Sequence, residues 1–242
     1  MKNQPSFFAA ILVGILLLGA CGPQGQKHLV TKVVVDSSAF VLDGTTKQPH
    51  TIEVWYTDGQ PDAVLGTLDQ LMDTSYTGQL VLKARDGQEI VRLTSWANEP
   101  AAQRYVAAHP KSGNYKCVMA YLASYGTKEA ANWVVTPTSS VQYSEFVMLR
   151  KSALDTLSGL VKAMTSAMAG SQPTLDYIST FNSTDSTAIS LIGIWNTKEG
   201  FEVFEKQKTW GEKPYWEPYA TNDHHMFDVL AATAKRSMQT YQ

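Results

Sequence analysis

Two histidines stand side by side in the run His224-His225-Met226-Phe227-Asp228-Val229. Neighbouring side chains on a strand point to opposite faces, so the two imidazoles cannot serve one site. His225 shares its face with Phe227 and Val229, which makes it the better candidate for a buried general base, imidazole being the side chain that exchanges a proton near neutral pH. The plainer alternative is a histidine satisfied by one backbone hydrogen bond. Met226 and Asp228 do not complete a ligand set with His224, so no metal is expected. Arg92 shares a strand face with Thr94 and Trp96 and could orient an anionic oxygen beside the indole, while Lys83 and Arg85 face solvent. Trp96 and Trp195 each close a strand just before a helix, where a large ring covers the sheet-helix seam; packing explains both. Trp195 nevertheless joins His225 and Arg92 as the trio of candidate catalytic residues. Nine residues further on stand Tyr105 and Phe204, of which only Tyr105 carries a hydroxyl for chemistry. Trp210, Tyr215, Trp216 and Tyr219, mixed with Gly211, Pro214 and Pro218, read as an aromatic loop that caps a pocket, touches a membrane interface or simply packs.

The apolar run at 7–20 is too short to span a bilayer, which needs about 20 residues. With Lys2 ahead of it and small residues at its end, it reads as a secretory signal peptide covering residues 1–20. The sequence Leu18-Gly19-Ala20-Cys21 resembles the lipobox of bacterial lipoproteins. That resemblance implies diacylglycerol on the Cys21 sulfur, cleavage before it and acylation of the new amine, with residues 21–27 as a lipidated tether. The expected location is the cell envelope outside the cytoplasm, with the membrane as partner through Cys21. Gly22 resembles the default that sorts to the periplasmic side of an outer membrane, where two membranes exist. The whole chain carries 20 basic and 22 acidic residues, a balance that offers nucleic acid no basic patch. A 44% hydrophobic composition supplies a core for one large domain or two small ones. With Cys21 acylated, Cys117 has no disulfide partner and reads as a small buried hydrophobe.

The elements that must position these residues follow one pattern twice. A strand at 51–57, an amphipathic helix at 61–74, strands at 79–85 and 89–96 joined by an Asp86-Gly87 turn, a helix capped by Asn98 and a strand at 114–124 form the first set. The second runs as strand 143–150, helix 153–169, strands 174–181 and 187–195, helix 197–208 and strand 222–232. Leu154, Leu157, Leu160, Val161, Met164 and Met168 give the long helix one apolar face, with Ser152 and Asp155 spaced as its capping pair. Asn196 and Glu199 are the expected cap of the later helix. Aligning Asn114 on Asn222 places Cys117 at the position of His225. Each β-α-β-β-α-β set is ferredoxin-like, an antiparallel sheet with two helices on one face. The bare faces can pack on each other, which gives an α+β class protein: an intramolecular α/β barrel, monomeric, with units at 28–124 and 142–242 and a linker at 125–141. Segments 29–35 and 132–135 read as extra strands, paired together.

The second unit resembles an antibiotic biosynthesis monooxygenase domain of the dimeric α/β barrel superfamily, through Phe146-Val-Met-Leu, Pro173-Thr-Leu-Asp-Tyr and Ile194-Trp195-Asn-Thr-Lys-Glu-Gly-Phe201. The first is similar through Leu93-Thr-Ser-Trp96-Ala-Asn-Glu-Pro. The superfamily includes oxygenases of aromatic or quinol compounds that need neither metal nor flavin, haem-degrading oxygenases and domains without activity. Haem-degrading members use an asparagine on the first strand, a tryptophan on the second helix and a histidine ten residues later. Neither first strand here has the asparagine, Tyr105 and Phe204 stand at the helix position, and Tyr115 and Pro214 stand ten further on; His109 is the nearest histidine. The resemblance therefore implies a cofactor-independent monooxygenase of a small aromatic or quinol compound, with no bound cofactor; His225, Trp195 and Arg92, singled out above from their places on the strands, are the residues expected to work it. The other reading is a non-catalytic envelope lipoprotein that binds a small apolar ligand or a partner protein, because fold alone does not fix function.

Overall fold

The computed structural model describes residues 29–36, 38–57, 75–127, 132–207 and 216–241. The signal segment, Cys21, the tether, the helix expected at 61–74, Trp210 and Tyr215 lie outside the described residues. The strands are β1 (Leu29–Asp36), β2 (Phe40–Asp43), β3 (Pro49–Tyr56), β4 (Tyr76–Ala84), β5 (Glu89–Trp96), β6 (Tyr115–Thr127), β7 (Asn132–Val135), β8 (Ser140–Met148), β9 (Leu175–Ser183), β10 (Ala188–Trp195) and β11 (Ala220–Tyr241). The helices are α1 (Glu99–Ala108), α2 (Leu154–Ser171) and α3 (Lys198–Gln207).

Hydrogen bonding runs β11-β4-β5-β3-β6-β9-β10-β8 and returns from β8 to β11, so eight antiparallel strands close a barrel. Each half has the ferredoxin-like strand order, and the halves join edge to edge, β6 on β9 and β11 on β4. Strand alternation decides which side chains go where. Ile52, Val54, Leu80, Leu82, Val91, Leu93, Tyr143, Ile192 and Phe227 fill the barrel interior. Residues one position away face outward under the helices: in the second half Phe146, Ile189, Leu191 and Trp195 pack on Leu157, Val161 and Met168 of α2 and Phe201 of α3. The central strands β5 and β10 are buried at every position, because both of their faces are covered. At one end, Phe40 and Leu42 of β2 and Val135 of β7 enter the barrel core.

Local signals explain most of the elements. Asn98 accepts a hydrogen bond from the Ala101 amide at 3.0 Å and opens α1. Gly87, at φ +79°, makes the turn between β4 and β5. Three details differ from expectation. The cap of α3 is Thr197, whose hydroxyl accepts from the Gly200 amide at 3.0 Å. A 3-10 turn at Lys151–Ala153 leads into α2, so Ser152 is not placed as its cap. Segment 29–36 pairs with the far end of β11, and β7 pairs with β2. That choice follows from the length of β11, whose 22 residues outrun both β8 and β4 and offer a further edge. Among the described residues, no helix is long and apolar enough to cross a membrane.

Candidate active site

The outward face of β8 presents Gln142, Ser144 and Phe146; beside them stand Leu191 of β10 and Ala220, Asn222 and His224 of β11. Met164 and Met168, one turn apart on α2, Phe204 of α3 and Trp216 stand over this surface and complete an open-mouthed cavity of about 720 Å³. A largely apolar pocket of a few hundred Å³ with a few convergent polar groups is what small-molecule sites look like. Trp216, from the aromatic loop, is buried and meets Phe146 edge to face at 5.6 Å, so this ring is a wall of the cavity.

A directed hydrogen-bond chain runs along the floor. Trp195 Nε1 donates to Gln142 Oε1 at 3.0 Å, and Gln142 Nε2 donates to Ser144 Oγ at 3.1 Å. Ser144 Oγ accepts within the chain, so its own proton can be donated to an oxygen in the cavity. Gly193 makes room: a Cβ there would sit 3.1 Å from Gln142 Oε1 and 3.3 Å from Trp195 Nε1.

The other half fills the same seam. Register pairs Thr51 with Thr94 and Glu53 with Arg92, as it pairs Gln142 with Gly193 and Ser144 with Leu191. Trp96 Nε1 donates to Thr51 Oγ1 at 3.0 Å. Where the second half has Ser144, Leu191, Phe204 and Asn222, the first has Glu53, Arg92, Tyr105 and Tyr115. Arg92 donates through Nε to Glu53 Oε2 at 2.5 Å and through Nη2 to Glu53 Oε1 at 2.8 Å and the Tyr105 hydroxyl at 2.6 Å; Tyr115 donates to Glu53 Oε1 at 2.8 Å. Burial opposes the Arg92 charge, but Glu53 overrides it and holds the guanidinium pKa above its ordinary value. Burial and the Glu53 charge push both phenols up. Arg92 is thus committed to a buried ion pair and is not presented to the cavity of the second half.

His225 is also elsewhere. It faces the barrel interior near one mouth, with Nδ1 2.6 Å from Asp86 Oδ2 and Nε2 3.1 Å from Asp223 Oδ1. The same mouth holds Glu145, which accepts from the Tyr56 hydroxyl at 3.0 Å and pairs with Lys116, and Glu89, whose carboxyl burial pushes up to about 7. The structure therefore places His225, Trp195 and Arg92 on three separate surfaces. The histidine that lines the cavity is His224. Register gives the reason: Cys117 pairs with Glu53 and His224 with Ser144, so Cys117 is the counterpart of His224 and not of His225. A shift of one residue on a strand exchanges its two faces. Burial pushes the Cys117 thiol up, in keeping with an inert core residue. His109 closes α1, with Nδ1 2.8 Å from the Tyr105 carbonyl and its ring stacked on Tyr105. Gln142 and Ser144 are the site residues that sequence reasoning misses; their signal is polar alternation just ahead of Phe146.

No protein-family profile matches the chain, and no curated protein sequence matches it. Solved structures do match in fold. An anthrone oxidase-like protein superimposes with a TM-score of 0.64 at 10% identity, covering 81% of this chain and 96% of its own. A candidate monooxygenase from Fusobacterium nucleatum gives 0.50 at 10% identity, covering 81% and 99%. The chain shares the ferredoxin-like α/β barrel fold of these proteins. At this identity the likeness shows the fold alone, and a fold does not fix chemistry.

Proposed function

We propose that the cavity of the second half belongs to a cofactor-independent monooxygenase of a small aromatic compound carrying an ionisable phenol or quinol. The observation that carries this reading is the 720 Å³ apolar cavity that holds one imidazole, His224, and one oriented hydroxyl, Ser144. For an anthrone-like substrate, loss of a proton makes the ring system electron-rich enough to reduce dioxygen itself. One oxygen atom becomes a carbonyl on the ring methylene and the other leaves as water with its two hydrogens, so no external reductant is needed. His224 takes the substrate proton. Ser144 donates to the resulting oxyanion, held in place by Gln142 and Trp195. The methionines and aromatic rings give the anion apolar walls. We further propose that residues 1–20 are removed and that lipid on Cys21 keeps this chemistry on a membrane of the cell envelope.

The test is oxygen uptake by the purified chain with an anthrone-type phenol, in the presence of a chelator and without added flavin. His224→Ala should lower the rate about 10²- to 10⁴-fold, as expected for loss of a general base, and Ser144→Ala should lower kcat more than it changes KM. His225→Gln should leave the rate in place. Equal loss in the His224 and His225 variants would count against the assignment. Ligands that raise the melting temperature without oxygen uptake above the uncatalysed background would replace this reading with a binding protein.

A further inference from the structure

The barrel mouth gathers groups from strands far apart in the chain: Tyr56 of β3, Glu89 of β5, Lys116 of β6, Glu145 of β8, Asp223 and His225 of β11, and Asp86 from the turn before β5. The geometry points to a binding site for a divalent transition-metal ion of the Zn²⁺ or Mn²⁺ kind, formed by His225 Nε2 and the carboxylates of Asp223 and Glu89. Their ligand atoms all lie within 4.8 Å of one another. Two ligands of a tetrahedral ion at 2.0–2.2 Å are about 3.5 Å apart, so a closing movement of about 1 Å completes the set.

The second coordination layer is already in place. Asp86 Oδ2, 2.6 Å from His225 Nδ1, holds the ring so that Nε2 faces Asp223 Oδ1, 3.1 Å away, where one ion can take the imidazole nitrogen and the carboxylate together. A separate observation points the same way. Glu145 is 5% exposed, and its Oε1 has no hydrogen-bond partner although Oε2 takes Tyr56 and Lys116. Register sets Glu145 directly across from Asp223 on the interior face, so the orphaned oxygen borders the proposed site. A water on the ion would satisfy it. Four carboxylates face Lys116 and one imidazole here, an imbalance that a divalent cation offsets. The Asp223 side chain, 68% exposed, leaves an entry path, and three protein ligands leave coordination positions for water. The site lies on the face of β11 opposite the cavity of His224 and does not depend on the oxidation proposed there.

The full chain, stripped with chelator and dialysed, should be titrated calorimetrically with ZnCl₂ and, separately, MnCl₂. One ion per chain should bind, Zn²⁺ tighter than Mn²⁺. Asp223→Asn, Glu89→Gln and His225→Gln should each weaken binding at least about tenfold, and Asp86→Asn about 10- to 100-fold through its hold on the imidazole. The ion-free Asp223→Asn and Glu89→Gln chains should unfold no earlier than wild type, because each removes a like charge. Zn²⁺ should shift the His225 imidazole resonances and leave those of His224 in place. Absence of binding below about 1 mM, unchanged affinity in the three ligand variants, or an unshifted His225 would overturn the site.

Discussion

Gly193→Ala tests how the cavity floor is built, because the two halves solve one packing problem in different ways. In the second half the Trp195 indole bonds to Gln142, and a methyl group on residue 193 would press on both atoms of that bond at 3.1 and 3.3 Å. In the first half the same register position carries Thr94, and the Trp96 indole bonds to the shorter Thr51 instead. Gly193→Ala alone should therefore break the Trp195-Gln142 bond and leave buried polar atoms unpaired, at about 1–3 kcal/mol. Reduced freedom of the unfolded chain returns about 0.4–1 kcal/mol, for a net loss of about 0.5–2 kcal/mol. In a Gln142→Thr background, which copies the first half, the added methyl group has room. There the same substitution should be neutral or slightly stabilising. Denaturant unfolding of the four proteins gives a coupling energy, expected to be about 1–3 kcal/mol. If Gly193→Ala costs the same in both backgrounds, the steric account of the floor is wrong.

Arg92→Met should destabilise the chain by about 3–5 kcal/mol by stranding the buried Glu53 charge, while Glu53→Gln combined with it should recover part of the loss; a single-variant cost below about 1 kcal/mol in denaturant unfolding would contradict the buried ion pair. Glu89 titrates near 7 in the folded chain against an ordinary 4.5, so its protonated form favours folding below pH 4.5 and that stability is lost as pH rises toward 7. With chelator present, Glu89→Gln should be more stable than wild type by about 1–3 kcal/mol above pH 7, and the difference should vanish below pH 4.5; a difference flat across that range would refute it. Cys21→Ser should abolish lipid attachment, and mass spectrometry finding a free thiol at Cys21 of the membrane-associated wild type would end the lipoprotein proposal.

The order of elements is legible in the sequence because period-2 and period-3.6 patterns report burial directly, and the barrel needs both faces of its central strands covered. The long-helix methionines, Met164 and Met168, are visible there as part of an apolar face, and in the fold they roof the cavity. Pairing is less legible. Nothing local in 29–36 says that its partner is the end of β11, since edge choice depends on how far that strand overshoots its neighbours. The base is hard to place for a related reason: two adjacent histidines differ only in face, and both faces of this strand are partly buried. Arg92 looks available in the sequence because its partner, Glu53, lies 39 residues away on another strand.

The closing role of β11 also has a meaning in time. It is the last described strand in chain order, yet its first part zips to β8, its middle to β4 and its end to β1, where Leu29 meets Tyr241. Until it emerges, β8 and β4 both present unpaired edges of the kind that recruit other strands. Loop closure over so many residues is slow, so the barrel behaves as a clasp that nothing upstream can fasten early. A growing chain therefore remains unclosed until synthesis has passed the part of β11 that meets β4, which ends at Ala234, and truncation before that point should yield an aggregating product with no working fragment.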